Sequence, residues 1–403
     1  MELAFFSDSY RPTHDGVAAV VEGLATELGQ LGHGVRVFAP NPVKGAAPYE
    51  ETVNGIAVIR SRSLPVPRYG EYRWALFPFP QLRHRGWRRE IDVVHLHTPG
   101  IMGTAGFLAA RRFDKPLVGT FHTNVWAMRT SFAADPLTRL FFRAAWWYTL
   151  GTYWRCDRTT APTAEAARTL EQATGKPFRH PVEVVPNGIE VDRFRPGLAS
   201  PDWRTRCGLP DVPLLTYLGR LTVDKGVHRF LDAVEHLAPD RPLAAVVAGV
   251  GPEEAAVRER LRAGPLARVA RYVGPVAEEE KPALLAQSSL YVLPSTSDTS
   301  SVSTLEAMAA GATCVASDQG GLPDVVRDGR TGRVVPLDPP GALPEVLAEL
   351  LDDPAQRARL ARAGREYVLR HASIEATARR FISLYSLLLA GEPVRARSDA
   401  ALP

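Results

Sequence analysis

Cysteine is scarce in this sequence, and several other absences narrow the function before any motif is considered. Three cysteines occur in 403 residues, far apart and without a CxxC pair, which argues against a disulfide framework and a structural zinc site. No apolar run approaches the roughly 18 residues of a membrane-spanning helix. The opening MELAFFSDSYRP has no basic leader, so we expect no signal peptide and a cytoplasmic protein.

Excess charge of one sign is also missing. The net charge is +4 and the isoelectric point is near 9.0. This is a mildly basic balance without a basic arm, so we expect no nucleic-acid partner. A hydrophobic content of 45% and a charged content of 23% are typical of a soluble globular protein, and 403 residues suit two domains.

Short apolar runs alternate with helical patterns along most of the chain. One series of predicted strands precedes PNGIEVDRFRP (186–196) and comprises LAFF (3–6), VRVF (35–38), IAVI (56–59), VVHL (93–96), PLVGTF (116–121) and VEVV (182–185). A second series follows it and comprises LLTYLG (214–219), LAAVVAG (243–249), VARYVG (269–274), LYVLP (290–294), ATCVAS (312–317) and GRVVP (332–336). Strands separated by helices favour an α/β fold with parallel sheets. We therefore predict two doubly wound, Rossmann-like domains that face each other across a deep cleft, with ligands at the strand ends.

The segment PSTSDTSSVSTLEAMAAG (294–311) places two acids around a predicted helix start. One interpretation is structural: Ser303 and Glu306 form a capping box, and Asp298 makes a turn. The other is functional, because the free N–H groups of a helix start suit a phosphate. Asp298 and Glu306 would then lie on opposite sides of that phosphate, and one side could hold a sugar and the other a ribose, because carboxylates bind vicinal hydroxyls well.

This pattern resembles the GT-B-fold glycosyltransferases, in particular the retaining family four, also called glycosyl transferases group 1. Members carry two glutamates with seven residues between them, and this chain has Asp298-x7-Glu306. Ser300 and Ser301 stand where members usually have an aromatic residue and a glycine. The resemblance implies that Asp298 binds the transferred sugar and Glu306 the ribose. It also implies that the donor diphosphate meets the backbone of Ser301, Val302 and Ser303.

Further motifs extend the resemblance over nearly the whole chain. LGRLTVDKG (218–226) resembles the loop whose Arg and Lys hold the donor diphosphate, which implies those roles for Arg220 and Lys225. VVAGVGPEE (246–254) is similar to the family's GxGP turn. YVGPV (272–276) resembles the strand end that contacts the nucleobase, and it implies base contacts for Pro275 and Val276.

Two motifs of the first half have counterparts in the family as well. SYRPTHDGVAAVVEGLATEL (9–28) is similar to the glycine loop beneath the donor, and its Gly16 is implied to contact the diphosphate. GTFHTN (119–124) resembles the histidine loop, which implies that His122 contacts the sugar. An ordinary helix start and a structural histidine are the alternatives for these two residues.

The resemblance implies a domain organisation and a mechanism. Residues 1–190 would bind the acceptor, residues 191–373 the nucleotide sugar, and the helix 374–390 would pack back on the first domain. Transfer would retain the anomeric configuration, with His122, Asp298, Arg220 and Lys225 as catalytic residues. We expect neither a cofactor nor a metal, because no Asp-x-Asp motif lies at a strand end and fixed cations can stabilise the departing phosphate.

The substrates are less defined. The donor would be of the UDP-glucose or GDP-mannose type. SDSYRPTHDGV (7–17) and HLHTP (95–99) resemble bacterial enzymes that glycosylate lipids, which makes a membrane lipid such as diacylglycerol the leading acceptor. A soluble polysaccharide or natural-product acceptor stays open. So do a sugar-nucleotide epimerase, a non-catalytic donor-binding protein and a peripheral membrane scaffold.

Two segments combine aromatic rings with arginines and bear on a membrane role. They are QLRHRGWRRE (81–90) and LTRLFFRAAWWYTLGTYWRCD (137–157). Their rings could belong to the core while the arginines are solvated. Alternatively, they form a surface that lies on anionic lipid and holds the protein on the inner face of the cell membrane.

Overall fold

The computed structural model describes residues 1–13, 15–66, 69–76, 87–124, 136–198, 204–205, 207–339 and 341–391. These residues form two compact units. The first lies within Met1–Val125, Phe141–Gly188 and Ile374–Pro403, and the second within Trp126–Leu140 and Ile189–Ser373.

The strands of the first unit are β1 Glu2–Phe6, β2 Gly34–Pro40, β3 Tyr49–Val53, β4 Ile56–Ser61, β5 Ser63–Val66, β6 Tyr69–Ala75, β7 Val93–Leu96, β8 Leu117–Thr120, β9 Arg158–Ala161 and β10 Glu183–Val184. Those of the second unit are β11 Leu214–Leu218, β12 Ala244–Ala248, β13 Ala270–Gly274, β14 Leu290–Leu293, β15 Thr313–Ser317 and β16 Arg333–Val335.

The helices are α1 Gly16–Gln30, α2 Trp87–Glu90, α3 Ile101–Phe113, α4 Pro136–Trp154, α5 Ala164–Thr174, α6 Val227–Leu237, α7 Glu254–Arg260, α8 Leu266–Val269, α9 Lys281–Gln287, α10 Val302–Ala310, α11 Leu322–Val325, α12 Ala342–Asp352, α13 Pro354–His371 and α14 Ile374–Leu389. A single 3₁₀ turn, Val223–Lys225, lies between β11 and α6.

The main sheet of the first unit has the strand order β10-β9-β8-β7-β1-β2-β4-β3. Its neighbouring strands are parallel except for β3, which runs antiparallel to β4 at the edge. Strands β5 and β6 form a separate antiparallel pair. Because the crossover helices cover both faces, the central strands are apolar on both sides; the four residues of β7 are all buried.

Helix α14 belongs to the first unit and packs on α1. Phe381 and Tyr385 of α14 share one apolar cluster with Leu24 and Leu28 of α1. The hydroxyl of Tyr385 is 2.7 Å from Nδ1 of His95 on β7. Helix α14 is thus fixed by apolar burial and by a buried hydrogen bond to the central sheet.

The second unit contains one parallel sheet in the order β13-β12-β11-β14-β15-β16. Strand β11 therefore lies between β12, which follows it in the chain, and β14, which comes later. This reversal of strand order is a topological switch point, where the loops at the carboxyl ends of the strands separate and leave room for a ligand. In the first unit the corresponding point is at β1, between β7 and β2.

The predicted fold class is confirmed: both units are Rossmann-like parallel-sheet domains. Strands β3, β5, β6 and β9 were not predicted. In β9, RTTA, the threonines are buried because they form hydrogen bonds inside the unit, from Thr159 to the Tyr153 carbonyl and between Thr160 and Thr120. Because the buried residues of β9 include two threonines, its sequence has no apolar run that would predict a strand.

Within the described ranges, no helix combines the length and the apolar character needed to cross a bilayer.

Candidate functional site

The loops after β11 and β14 bring two of the predicted residues into direct contact. Lys225 ends the 3₁₀ turn after β11, and Asp298 lies in the loop between β14 and α10. Nζ of Lys225 is 2.6 Å from Oδ1 of Asp298, and both side chains are largely buried. The other carboxylate oxygen of Asp298 is buried and has no hydrogen-bond partner among the described residues. An acceptor atom at the switch point is therefore left for a ligand.

Glycines allow the loops to approach each other backbone to backbone. Gly226 has φ +74°, and a Cβ there would lie 2.1 Å from the carbonyl oxygen of Pro294. Gly249 has φ +131°, and a Cβ there would lie 1.9 Å from the carbonyl oxygen of Gly219. No other residue type fits either position without displacing the neighbouring loop. The loops after β11, β12 and β14 thus meet at one place.

Helix α10 begins at Val302 and is capped by Ser301, not by a capping box at Ser303. Oγ of Ser301 accepts a hydrogen bond from the N–H of Thr304 at 3.1 Å. The prediction that Ser303 caps the helix and Glu306 reaches back is therefore wrong. The hydroxyl of Ser303 is instead 2.7 Å from that of Tyr291 on β14.

This capping pattern leaves donors at the start of α10. Among the described residues, the backbone N–H groups of Ser301, Val302 and Ser303 have no hydrogen-bond partner. They lie at the positive end of the helix dipole, close in sequence to Asp298. Such an N-terminus binds phosphate without further adaptation.

Arg220 follows β11 by two residues, and its side chain is exposed. Its backbone is held by the hydroxyl of Tyr217, which donates to the Arg220 carbonyl at 2.9 Å. Within the described ranges its guanidinium forms neither an ion pair nor a hydrogen bond. It is therefore an exposed cation that forms no ion pair among the described residues.

Glu306 of α10 lies within a group of charged side chains. It is 5% exposed, and burial raises its pKa to about 7 although the charge of Lys281 opposes the shift. Lys281 is paired with Glu278, and Nη2 of Arg193 is 3.3 Å from Oε2 of the same glutamate. Near neutral pH the carboxyl group of Glu306 is consequently divided between its protonated and ionised forms.

The residues predicted to contact a nucleobase follow β13. Pro275 is exposed, and Val276 is half-buried against the core of the second unit. The adjacent Tyr272 was not predicted: its hydroxyl donates to the Gly249 carbonyl at 2.9 Å, and the Arg258 guanidinium lies 4.2 Å from its ring centre. The contact between Tyr272 and Gly249 joins two segments that are distant in sequence, so no periodic pattern predicts it.

Gly16 is the first residue of α1, at the carboxyl end of β1. Asp15 caps this helix by accepting a hydrogen bond from the N–H of Ala18 at 2.8 Å. The hydroxyl of Ser9 donates to the Asp15 carboxylate at 2.5 Å and so links the start of the loop between β1 and α1 to its end. His14 of the same motif lies outside the described residues.

His122 lies after β8 and is part of a histidine group that the motifs did not predict. It is 8% exposed, and its Nε2 is 3.2 Å from Nδ1 of His97, which follows β7. Burial lowers the pKa of His122 to about 4, and a hydrogen bond with the Asn187 side chain offsets part of that shift. The imidazole is neutral at pH 7.

Across the ranges that the structure describes, no three His, Cys, Asp or Glu side chains are placed to hold a metal ion together.

Comparison with known proteins places the chain in a family. Residues 14–193 match the model described as Glycosyltransferase Family 4, and residues 201–367 match that described as Glycosyl transferases group 1. The chain is 30% identical to the GDP-mannose-dependent alpha-mannosyltransferase of Mycolicibacterium smegmatis over 373 residues, which are 92% of this chain and 93% of that protein.

Solved structures have the same fold. Sucrose-phosphate synthase from Thermosynechococcus elongatus is similar with a TM-score of 0.75 and 22% identity, over 97% of this chain and 100% of that one. Anabaena HepE in complex with UDP and glucose is similar with a TM-score of 0.73 and 19% identity, over 96% and 99%. With both halves matched by the family models and a relative covered over nearly its whole length, the chain belongs to the GT-B glycosyltransferases of family four.

Proposed function

We propose that this enzyme transfers a hexose from a nucleoside-diphosphate sugar, with retention and without a metal, to a hydroxyl group of a membrane lipid such as diacylglycerol. The observation that supports it most is the Lys225–Asp298 pair beside the free N–H groups of α10, at the switch point of the second unit. GDP-mannose is the first donor to test, because the full-length relative is named for it. UDP-glucose is the second.

In this proposal the donor separates the ion pair. The diphosphate takes the positive charges of Lys225 and Arg220 and the N–H groups at the start of α10. Asp298 then turns its unpaired oxygen to the hydroxyls of the sugar, and Glu306 accepts from the ribose. Fixed donors aimed at the leaving phosphate lower the barrier because negative charge develops there. These groups are all protein groups, so no metal is needed.

The nucleobase and the first unit keep the roles that the family resemblance predicts. Pro275 and Val276 are proposed to contact the base. Gly16 is proposed to contact the diphosphate, and His122 the sugar. A neutral His122 suits hydrogen bonding to a sugar hydroxyl better than it suits general base catalysis, because its pKa of about 4 lies far below neutral pH.

The lipid acceptor is supported by the exposed face of α4. Phe141, Trp147, Tyr148 and Trp154 on this helix are 38–67% exposed, so these rings are not part of the core. Arg143 lies one helical turn before Trp147 and is also exposed. Large aromatic rings beside arginines favour the interface of an anionic membrane. The other segment with this composition, 81–90, lies outside the described residues up to position 86.

The donor and the reaction are tested by a transfer assay. The enzyme is incubated with GDP-mannose or UDP-glucose and with dioleoylglycerol in anionic vesicles, with and without EDTA. We expect free nucleoside diphosphate and an α-linked glycolipid in equal amounts, unchanged by EDTA, and none from Lys225→Met. Lys44→Met, which removes an exposed lysine of the first unit, is the matched control and should stay active. Epimerised sugar nucleotide without glycolipid would contradict the proposal.

The acceptor is tested by a pair of tryptophan variants. Trp147→Glu should lower transfer to vesicle-embedded diacylglycerol at least about tenfold, because burial of such a ring contributes about 1.5–3 kcal/mol. Trp74→Glu, on β6 and 48% exposed, should not. Efficient transfer to a water-soluble glycan, with Trp147→Glu as active as wild type on vesicles, would support the soluble acceptor instead.

A further inference from the structure

Three histidines lie at the strand ends of the first unit, and their ring nitrogens differ in how they are paired. Both nitrogens of His95 are bonded, Nδ1 with the Tyr385 hydroxyl and Nε2 with the Thr120 hydroxyl, each at 2.7 Å. Nδ1 of His97 is bonded with Nε2 of His122 at 3.2 Å. Nε2 of His97 is buried without a partner among the described residues.

The ring of His97 is held in place from several sides. Its centre is 4.6 Å from that of Phe5 and 4.0 Å from that of His95. Its backbone N–H donates to the Phe6 carbonyl at 2.9 Å. The next residue, Thr98, donates to Asp8 at 2.6 Å. A ring packed in this way has one orientation, so the nitrogen that it presents to His122 is fixed.

The surroundings of His97 indicate which of its nitrogens carries the proton. Burial lowers the pKa of His97 well below its usual value, so the ring is neutral and has one N–H. On Nε2 this N–H would be buried without an acceptor among the described residues, which is costly. On Nδ1 it faces Nε2 of His122 at 3.2 Å and has an acceptor. Nε2 of His122 must then accept, and the N–H of His122 is on Nδ1.

We propose that His97 is a positioning residue, whose Nδ1–H donates to Nε2 of His122 and so fixes the tautomer and the ring orientation of His122. The kinetic prediction given below rests on the proposed function. The effect on the tautomer does not, because His97, His122 and Asn187 all lie within the first unit. His97, His122 and Asn187 follow β7, β8 and β10, so the sheet itself sets their spacing.

Isosteric variants separate this role from simple packing. In His97→Asn the amide nitrogen takes the place of Nδ1 and can still donate to His122. In His97→Gln the amide takes the place of Nε2, and in His97→Phe the ring has no donor. His33→Asn is the matched control: His33 lies in the turn before β2, away from the three histidines, and its Nδ1 is 3.2 Å from the amino terminus.

The first measurement needs no substrate. Nitrogen-15 NMR of histidine-labelled protein at pH 7.5, with the His122 signals assigned from His122→Gln, reports the tautomer directly. We expect the Nδ1–H form of His122 in wild type, in His97→Asn and in His33→Asn, and a mixture of forms in His97→Phe and His97→Gln. The Nε2–H form in wild type, or an unchanged tautomer in His97→Phe, would overturn the proposal.

The second measurement is kinetic. A ring misplaced by about 1 Å can lower turnover about 100-fold, so His97→Phe and His97→Gln should lose kcat on that scale while KM for the donor stays unchanged. His97→Asn should keep most of kcat. Equal loss in His97→Asn and His97→Phe would indicate a packing role and overturn the proposal. If wild type transfers no sugar, the proposed function fails, and the NMR comparison alone decides the role of His97.

Discussion

Glu306 is buried in a mixed group of charges, whereas Lys225 and Asp298 neutralise each other at the strand ends. The ion pair keeps two charges available in a largely buried place without leaving either unpaired. Among the described residues Glu306 forms no ion pair, and burial raises its pKa to about 7. At the residue scale the site therefore holds one neutralised pair and one acid that titrates near physiological pH.

The raised pKa of Glu306 predicts a pH dependence of stability. The folded state holds this proton up to about pH 7, whereas an ordinary glutamate in the unfolded chain releases it near 4.5. Its contribution to stability is therefore present below pH 4.5 and is lost as the pH rises through 7. Glu306→Gln, which stays neutral, should gain stability relative to wild type between pH 4.5 and pH 8, by about 3 kcal/mol.

Urea unfolding of the ligand-free protein at pH 5, 6, 7 and 8 measures this difference. Glu349→Gln is the control of opposite sign, because hydrogen bonds from Arg333 and Gln356 lower the pKa of the exposed Glu349. That variant should lose a little stability above pH 4.5. A Glu306→Gln difference that is the same at all four pH values would show that Glu306 is ionised throughout.

Sequence motifs single out residues within one continuous stretch of chain, but they do not predict contacts between stretches. Lys225 and Asp298 come from two motifs, and the structure brings them together because β11 and β14 are neighbours. The capping-box interpretation placed the cap of α10 at Ser303, two residues after the observed cap Ser301, since any hydroxyl in the run TSDTSSVST could act as the cap. The His97–His122 bond links residues 25 positions apart, and no spacing in the sequence predicts it.

At the scale of elements, the loops after β11 and β14 depend on one another. The N–H of Thr296 donates to the Asp224 carbonyl at 2.7 Å, and Ser297 donates to the Asp224 carboxylate at 2.6 Å. The backbone of Gly226 lies so close to the Pro294 carbonyl that a side chain would not fit between them. The position of Lys225 relative to Asp298 is therefore set by backbone packing as well as by charge.

A pair of glycine variants tests this dependence. Gly226→Ala would place a Cβ 2.1 Å from the Pro294 carbonyl, whereas Gly329→Ala, at a similar φ of +67°, meets nothing within 4 Å. Both variants lose the left-handed conformation that glycine allows, at about 1–2 kcal/mol. Gly226→Ala should lose a further 1–3 kcal/mol, roughly, from overpacking, and should also weaken nucleotide binding. Equal melting temperatures for the two would contradict the packing of these loops.

The elements themselves were predicted unevenly, and the difference has a physical cause. Every strand of the second unit was predicted, because a parallel sheet covered on both faces requires continuous apolar runs. The first unit also has an antiparallel edge strand, β3, and a separate antiparallel pair, β5 and β6. These strands contain charged residues or a proline in place of a continuous apolar run, so their sequences resemble loops.

At the scale of the whole molecule, the two units have the same type of architecture. Each unit has a parallel sheet with its own switch point and its own apolar core. Polar and charged loops follow the strands at both points, where the fold leaves room for ligands. The repeated strand pattern predicted this organisation. The donor base and the acceptor are properties of loops and surfaces, which periodicity does not encode.

The central claim is that the second unit binds a nucleoside diphosphate through Lys225 at this switch point. Isothermal titration of GDP and of UDP into wild type, Lys225→Met and Lys44→Met tests it most directly. We expect one nucleotide to bind to wild type and Lys44→Met alike. We also expect Lys225→Met to bind it about 10–100-fold more weakly, as for a lost hydrogen bond to a charged group. If neither GDP nor UDP bound to wild type, or if Lys225→Met bound the nucleotide as tightly as wild type, the claim would be contradicted.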